Sequence, residues 1–227
     1  MIMKNIYRLI FTILAAFVMT SCLKEDISNV VRPKNFYKDA SQIRTGLNSA
    51  YYPLTFIYRF EFMIAIEGST DLASTDGSKQ PDAYLQINPA NPGCGDRVWQ
   101  YCYLGIRNVS AVIAGIERAP LPYKTVVDYI GESKILRAFY YYILTSFFGD
   151  VPFYLDYIET EEDLARVGKL PRMSADQTRE ELIKDLMTVV PDMSQIRTCD
   201  IPQSDAYPGR ITASAGCMLI AKMAMWN

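Results

Sequence analysis

Histidine is absent from all 227 residues. That removes the commonest general base from this segment, and with it His-dependent catalytic triads and His-ligated zinc sites. Tryptophan occurs only twice, at positions 99 and 226. Cys94, Cys102, Cys199 and Cys217 form no Cys-x-x-Cys pair, so a zinc or thioredoxin-like reading has no support. Charge of one sign is also scarce: 23 basic against 25 acidic residues give a net charge of −2. Such a balance leaves no footprint for nucleic acid or for anionic headgroups. No strand-rich stretch is evident. What the chain has in quantity is apolar and aromatic matter, 50% hydrophobic residues with 16 Tyr and 10 Phe, enough for a substantial core.

The first 22 residues read as a targeting segment. Lys4 and Arg8 precede the apolar run Leu9–Val18, a basic region followed by a hydrophobic stretch too short to span a bilayer stably. The segment closes on Met19-Thr20-Ser21-Cys22. Small residues before a cysteine resemble the bacterial lipobox, with Met19 where that box usually has Leu. The resemblance implies cleavage before Cys22, which is acylated and becomes the new N-terminus. Removing residues 1–21 takes away Lys4 and Arg8 and no acid, so the formal charge falls from −2 to −4; membrane attachment must then be covalent. Leu23-Lys24-Glu25-Asp26 is similar to the export tag that sends lipoproteins of Bacteroidetes to the outer face of the outer membrane. Residues 1–21 are thus expected to be a signal peptide and residues 22–38 a lipidated tether. Residues 39–227 are expected to be the helical domain.

Five helical segments are legible beyond the tether. The first opens at Asp39, where Gln42 completes a capping-box spacing, and Ile43, Leu47, Ala50, Tyr51 and Leu54 share one face until Pro53 bends or ends it. Gly68–Gly95 is dense in Gly, Ser, Asp, Asn and Pro and reads as a long loop of functional or mobile character. A second helix, roughly Asp96–Arg118, carries Trp99, Cys102, Tyr103, Ile106, Val109, Ile113 and Ile116 on one stripe. The third, about Thr125–Phe148, is apolar nearly all round from Ile135 on, the mark of a helix buried between neighbours. Gly149 stands where a left-handed cap belongs, and Pro152 blocks continuation. A fourth opens at the Ser174/Gln177 capping box, pairs Glu180 with Lys184 outside, and closes at Pro191. The fifth follows Thr212 and begins with the small residues Ala213, Ala215 and Gly216. It is still running at Asn227, so the chain reads as the N-terminal portion of a longer product.

The run Gly131-Glu132-Ser133-Lys134-Ile135-Leu136-Arg137-Ala138-Phe139-Tyr140-Tyr141, with the exit Phe148-Gly149-Asp150-Val151-Pro152, resembles the central motif of SusD/RagB nutrient-uptake lipoproteins. Trp99-Gln100-Tyr101-Cys102-Tyr103 with Ile106 and Asn108 is similar to the preceding repeat helix. Leu170-Pro171-Arg172 with Asp185-Leu186 and Pro191, and then Gly209-Arg210-Ile211-Thr212, are similar to the segments that follow. The resemblance covers nearly all of the mature chain and not the family's C-terminal half. It implies an all-α, tetratricopeptide-like scaffold of helical hairpins with long irregular loops. It also implies a surface lipoprotein that binds oligosaccharides as the lid of a SusC-like TonB-dependent transporter, with no cofactor and no nucleic acid.

Most matching residues read as scaffold. Trp99, Tyr103, Phe139, Tyr140 and Tyr141 lie on apolar faces. Arg137, if buried, needs a partner, and an inter-helix ion pair with Glu132 or a neighbouring acid is expected rather than ligand contact. Cys102 and Cys217 are expected as free thiols packed like small hydrophobes, and the pairing of the cysteines stays open. A sugar site needs an aromatic platform beside hydrogen-bonding groups. The resemblance directs attention to the Gly68–Gly95 loop, which offers Tyr84 as its one aromatic, with Asp71 and Asp82 among its polar residues. These three are the expected ligand contacts. An EF-hand reading starting from Asp71 fails because Ala73 and Thr75 occupy ligand positions, and no metal is expected. Nothing sets one carboxylate protonated beside another, as glycoside hydrolysis requires, so no catalytic residue is expected. The alternatives are a structural or scaffolding surface lipoprotein without glycan binding, and a glycoside hydrolase.

Overall fold

A computed structural model of the chain describes residues 36–59, 95–194 and 210–226, with isolated positions between 67 and 93. The described elements are α1 (Ala40–Tyr51), α2 (Leu54–Ile57), α3 (Gly95–Glu117), α4 (Tyr123–Phe148), β1 (Val151–Pro152), α5 (Glu161–Val167), β2 (Arg172–Met173), α6 (Ala175–Met187), a 3-10 turn (Val190–Asp192) and α7 (Ala213–Trp226). The fold is all-α in a tetratricopeptide-like arrangement of helical hairpins, as expected.

Local chemistry sets the helix ends. Asp39 caps α1 by accepting from the Gln42 N–H at 2.9 Å, while the Gln42 amide oxygen accepts from the Lys38 N–H at 2.8 Å. The reciprocal bond therefore lands one residue before the cap position. Ser174 caps α6 through the Gln177 N–H at 3.2 Å. Gly149 ends α4 at φ 67°, ψ −116°, and its N–H reaches the Thr145 carbonyl at 3.1 Å. The positive φ is a conformation that favours glycine, although ψ lies outside the left-handed helical basin expected from sequence.

The central element is the hairpin of α3 and α4, antiparallel because Trp99 near the start of one meets Phe148 at the end of the other, ring centroids 5.1 Å apart. Helix α1 packs on both, and α6 and α7 pack on α4. Two close approaches to α3 rely on glycine. A Cβ at Gly105 would overlap the Tyr140 ring, and a Cβ at Gly115 would overlap that of Tyr37. Tyr140 is fully buried and donates its hydroxyl to the Ala50 carbonyl at 2.7 Å. A ring of that size contributes about 2–3 kcal/mol through its burial, provided that its hydroxyl keeps a partner. Tyr37 is also buried, so the packed body begins ahead of Asp39.

Buried charges knit the helices together. Arg137 in α4, 3% exposed, pairs with Asp185 in α6 at 2.7 Å, and Lys134 bonds the other oxygen of the same carboxylate at 2.6 Å. The Arg137 guanidinium also donates to the Leu155 carbonyl at 2.8 Å. The inter-helix pair exists, but its acid is not Glu132. That carboxylate instead accepts from the Tyr51 hydroxyl and pairs with Arg210 at 3.1 Å, while Arg210 donates to the Asn48 side chain at 2.8 Å. The surface pair on α6 also differs from expectation. Lys184 bonds Glu181, three residues back, at 2.7 Å rather than Glu180.

Helix α5 and the β1–β2 ribbon were not expected. Thr160 and Asp163 form a full capping box for α5, and hydrogen bonds from Thr160 hold the Asp163 carboxyl below its ordinary value. The ribbon pairs Val151 with Met173 and Pro152 with Arg172, antiparallel. Asp150, within the Gly-Asp-Val-Pro exit, accepts from the Ala175 N–H at 3.1 Å and so sits at the positive end of α6.

The two described cysteines are free, Cys102 buried and Cys217 exposed. The packed-thiol expectation holds for Cys102, whose ionisation burial pushes well up, and fails for Cys217. In peptide mapping after brief thiol alkylation, Cys217 is expected to label in the folded protein and Cys102 only after unfolding. Equal labelling rates would contradict the packing of α3 on α1 and α4.

Candidate functional site: an aromatic surface beside two grooves

The residues singled out in sequence, Cys22, Asp71, Asp82 and Tyr84, lie outside the described residues. Those described offer three surfaces with room for a ligand.

The first is a ladder of rings. Tyr52 follows the last residue of α1, and Pro53 with φ −58° restarts the chain as α2. The Thr55 N–H and hydroxyl both donate to the Tyr52 carbonyl, at 3.1 and 2.7 Å, and the Phe56 N–H donates to the Pro53 carbonyl at 3.1 Å. This tight connection holds Tyr52 and Phe56 edge to face, centroids 5.0 Å apart. Phe56 in turn stacks on Tyr101 of α3 at 4.4 Å with the planes 3° apart. Arg59 lies over the Phe56 ring at 5.8 Å, and Tyr58 stacks on Phe139 of α4 at 6.5 Å. Tyr52 is 57% exposed and Tyr58 is 50% exposed.

The second is a cleft of about 610 Å³ between α3, the ribbon and α5, walled by Trp99, Tyr103, Tyr154, Leu104, Leu164 and Leu170. Its aromatic side is already engaged. Arg172 covers the Trp99 ring at 5.5 Å, and the Tyr103 hydroxyl donates to the Pro152 carbonyl at 2.7 Å. Burial pushes the Tyr154 phenol up to about 12, with Arg107 opposing. The third is an apolar groove of about 380 Å³ between α1, α4 and α7, lined among others by Tyr51, Leu54, Phe139, Tyr142, Ile211 and Met218. Tyr51 at its edge is raised far above an ordinary phenol, first by burial and then by the Glu132 carboxylate.

Among the described residues, no group of three or more Cys, Asp or Glu side chains is placed to hold a metal ion, and no helix is long and apolar enough to cross a membrane. The sequence stripes led to Trp99 and Tyr103 but missed Tyr52, Phe56 and Tyr101. The available signal was the i, i+4 spacing of Tyr52 and Phe56 across Pro53, on the side away from the apolar stripe.

Comparison with known proteins places this architecture. The chain is 23% identical over 237 residues to the SusD-like protein P25 of Formosa agariphila, covering 98% of this chain and 43% of that protein. Among solved structures, a SusD-like carbohydrate-binding protein from Bacteroides fragilis superposes with a TM-score of 0.69 at 20% identity, over 83% of this chain and 37% of that one. A laminarin-binding SusD-like protein gives 0.68 at 20% identity, over 84% and 41%. Surface glycan-binding protein A from Bacteroides fluxus gives 0.65 at 21% identity, over 83% and 40%. The chain therefore spans less than half the length of these relatives. A family described as starch-binding and associating with the outer membrane matches residues 64–208. With the profile covering more than half of the chain and the helical scaffold superposing, this protein belongs to the SusD-like family.

Proposed function

We propose that this protein is a surface-exposed, lipid-anchored glycan-binding protein of the outer membrane, acting as the lid of a SusC-like TonB-dependent transporter. The observation that carries the reading is the family match across residues 64–208, whose description names starch binding and the outer membrane. Two relatives named for laminarin or glycan binding share the fold and support it. The protein binds and hands over its oligosaccharide without cleaving it. Cys22 carries the lipid, Lys24-Glu25-Asp26 directs export to the surface, and Tyr84, Asp71 and Asp82 contribute ligand contacts.

Two measurements test it. Native gels cast with laminarin or soluble starch should retard the protein, and no reducing ends should accumulate on incubation. A surface lipoprotein of purely structural role would show no retardation, and a hydrolase would release reducing ends. Cys22→Ala should abolish acyl labelling and move the protein out of the membrane fraction, since firm attachment requires more than one acyl chain. Unchanged membrane retention would overturn the anchor.

A further inference from the structure

We infer that the cleft between α3, the ribbon and α5 is a binding site for a small apolar carboxylate, whose acid group pairs with Arg107. The inference is independent of glycan binding and concerns a different class of ligand.

The cleft has the form of a small-molecule site. Trp99, Gln100, Tyr103, Leu104 and Arg107 line it from α3. Their spacings of three, four and seven residues keep them on one face of the helix, with Gln100 and Arg107 about 10 Å apart along it. Leu164, Val167 and Leu170 stand opposite. The enclosed volume of about 610 Å³ falls within the roughly 300–1,000 Å³ of sites that take small molecules.

Both walls are set before a guest arrives. Arg172 lies over the Trp99 ring at 5.5 Å, and the Tyr103 hydroxyl donates to the Pro152 carbonyl at 2.7 Å. On the other side, the Thr160/Asp163 capping box and the bond from the Gly168 N–H to the Leu164 carbonyl at 2.9 Å hold α5. Yet α5 buries none of its residues, and Leu164 stays 61% exposed. A guest would cover that apolar surface at little cost in ordering the walls.

Charge selects the guest. Arg107 is exposed and forms no hydrogen bond or ion pair among the described residues. No acid lines the cleft. Three acids of the α5 segment are committed elsewhere, Glu159 to Arg118 at 3.1 Å and Asp156 and Asp163 to Arg166 at 3.6 and 3.4 Å. The field of Arg107 reaches the cleft floor, where it opposes the upward push that burial gives the Tyr154 phenol. A sugar would set most of its hydroxyls against Leu104, Ile158, Leu164 and Leu170 without partners. An alkyl or aryl body with one carboxylate satisfies both the walls and the cation. The apolar surface along α7, where Met218, Met225 and Trp226 are exposed, lacks such a free charge. There Lys222 lies over the Tyr142 ring at 5.1 Å, and Arg179 lies over Trp226 at 5.7 Å.

Trp226→Phe leaves Trp99 as the one tryptophan, so its emission reports on the cleft in the whole protein. Titration with phenylbutyrate should give a saturable change. Phenylbutanol, of similar shape without the charge, should bind about tenfold more weakly. Arg107→Gln in the same background should bring the acid down to the level of the alcohol and leave the alcohol unchanged. Leu164→Asp should abolish the response to both at an unchanged melting temperature, because that side chain is largely in solvent. Absence of a saturable response in Trp226→Phe, or a preference for the acid that survives Arg107→Gln, would overturn the site. Either result leaves the glycan reading to its own test on laminarin and starch gels.

Discussion

Asp185→Ala is expected to lower the free energy of unfolding by about 3–5 kcal/mol. The carboxylate accepts from Arg137 at 2.7 Å and from Lys134 at 2.6 Å, and its own side chain is 14% exposed. Removing it leaves the Arg137 guanidinium, 4% exposed, with a charge that no other acid in the described pairs answers. Its remaining bonds go to the neutral Leu155 carbonyl and, weakly, to the Ser110 hydroxyl at 3.4 Å. Asp185→Asn keeps the shape and an acceptor but loses the charge, so an intermediate loss is expected. Arg137→Leu should cost less, since Lys134 still neutralises the acid, and it should leave glycan affinity unchanged. Urea titrations followed by circular dichroism read all three. A loss under about 1 kcal/mol for Asp185→Ala would place this pair with ordinary surface ion pairs.

The same network shows which links of the argument are visible in sequence. A buried arginine on an apolar helix demands an acid, and that demand was legible. Its identity was not. Glu132 lies five residues before Arg137, and at about 100° per residue the two point to different sides of α4. Glu132 faces α1 and Arg210, whereas Arg137 faces α6, where Asp185 waits 48 residues further along the chain. The geometry of α6 similarly lets Lys184 choose between acids three and four residues back, and spacing alone does not select Glu181.

Helix ends were legible because they are local. Asp39, Ser174, Pro53, Gly149 and Pro191 act within a few residues of where they stand. Helix α5 is not legible in the sequence for the converse reason. It is seven residues long and buries none of them, so it has no apolar stripe, and only its Thr160/Asp163 box announces it. The exposure of Cys217 is not legible because apolar residues stand on most sides of α7, which hides the face that packs; Gly216 turns to Ile135 and Val190 while Cys217 next to it faces outward. The aromatic ladder is a tertiary object. Tyr101 sits two residues from Trp99 and off its stripe, and only the packing of α2 on α3 brings Phe56 against it.

Between pH 10 and 12 the protein is expected to lose stability steeply as its buried tyrosines ionise. Burial raises the phenols of Tyr51, Tyr103, Tyr140 and Tyr141 well above their ordinary value of 10, and takes Tyr154 to about 12. Each donates its proton in a bond or sits among rings: Tyr140 to the Ala50 carbonyl at 2.7 Å, Tyr141 to the Tyr154 carbonyl at 2.8 Å, Tyr103 to the Pro152 carbonyl at 2.7 Å, and Tyr51 to Glu132. The Tyr141 hydroxyl also accepts from the Tyr154 N–H at 3.0 Å. In the unfolded chain these phenols titrate near pH 10, so above that pH the unfolded state holds fewer protons than the folded state. Stability must then fall as pH rises. The contribution of each neutral phenol is complete below pH 10 and is lost as pH climbs through its folded value, at about 1.4 kcal/mol per pH unit for a fully buried group such as Tyr141. Phenolate absorbance should therefore include a cooperative stage, from the buried rings, that coincides with loss of helical circular dichroism. The melting temperature should begin its descent near pH 10, and Tyr141→Phe should make that descent shallower. A single smooth phenolate titration centred at 10 with helicity intact would contradict the burial of these rings against α4 and the ribbon.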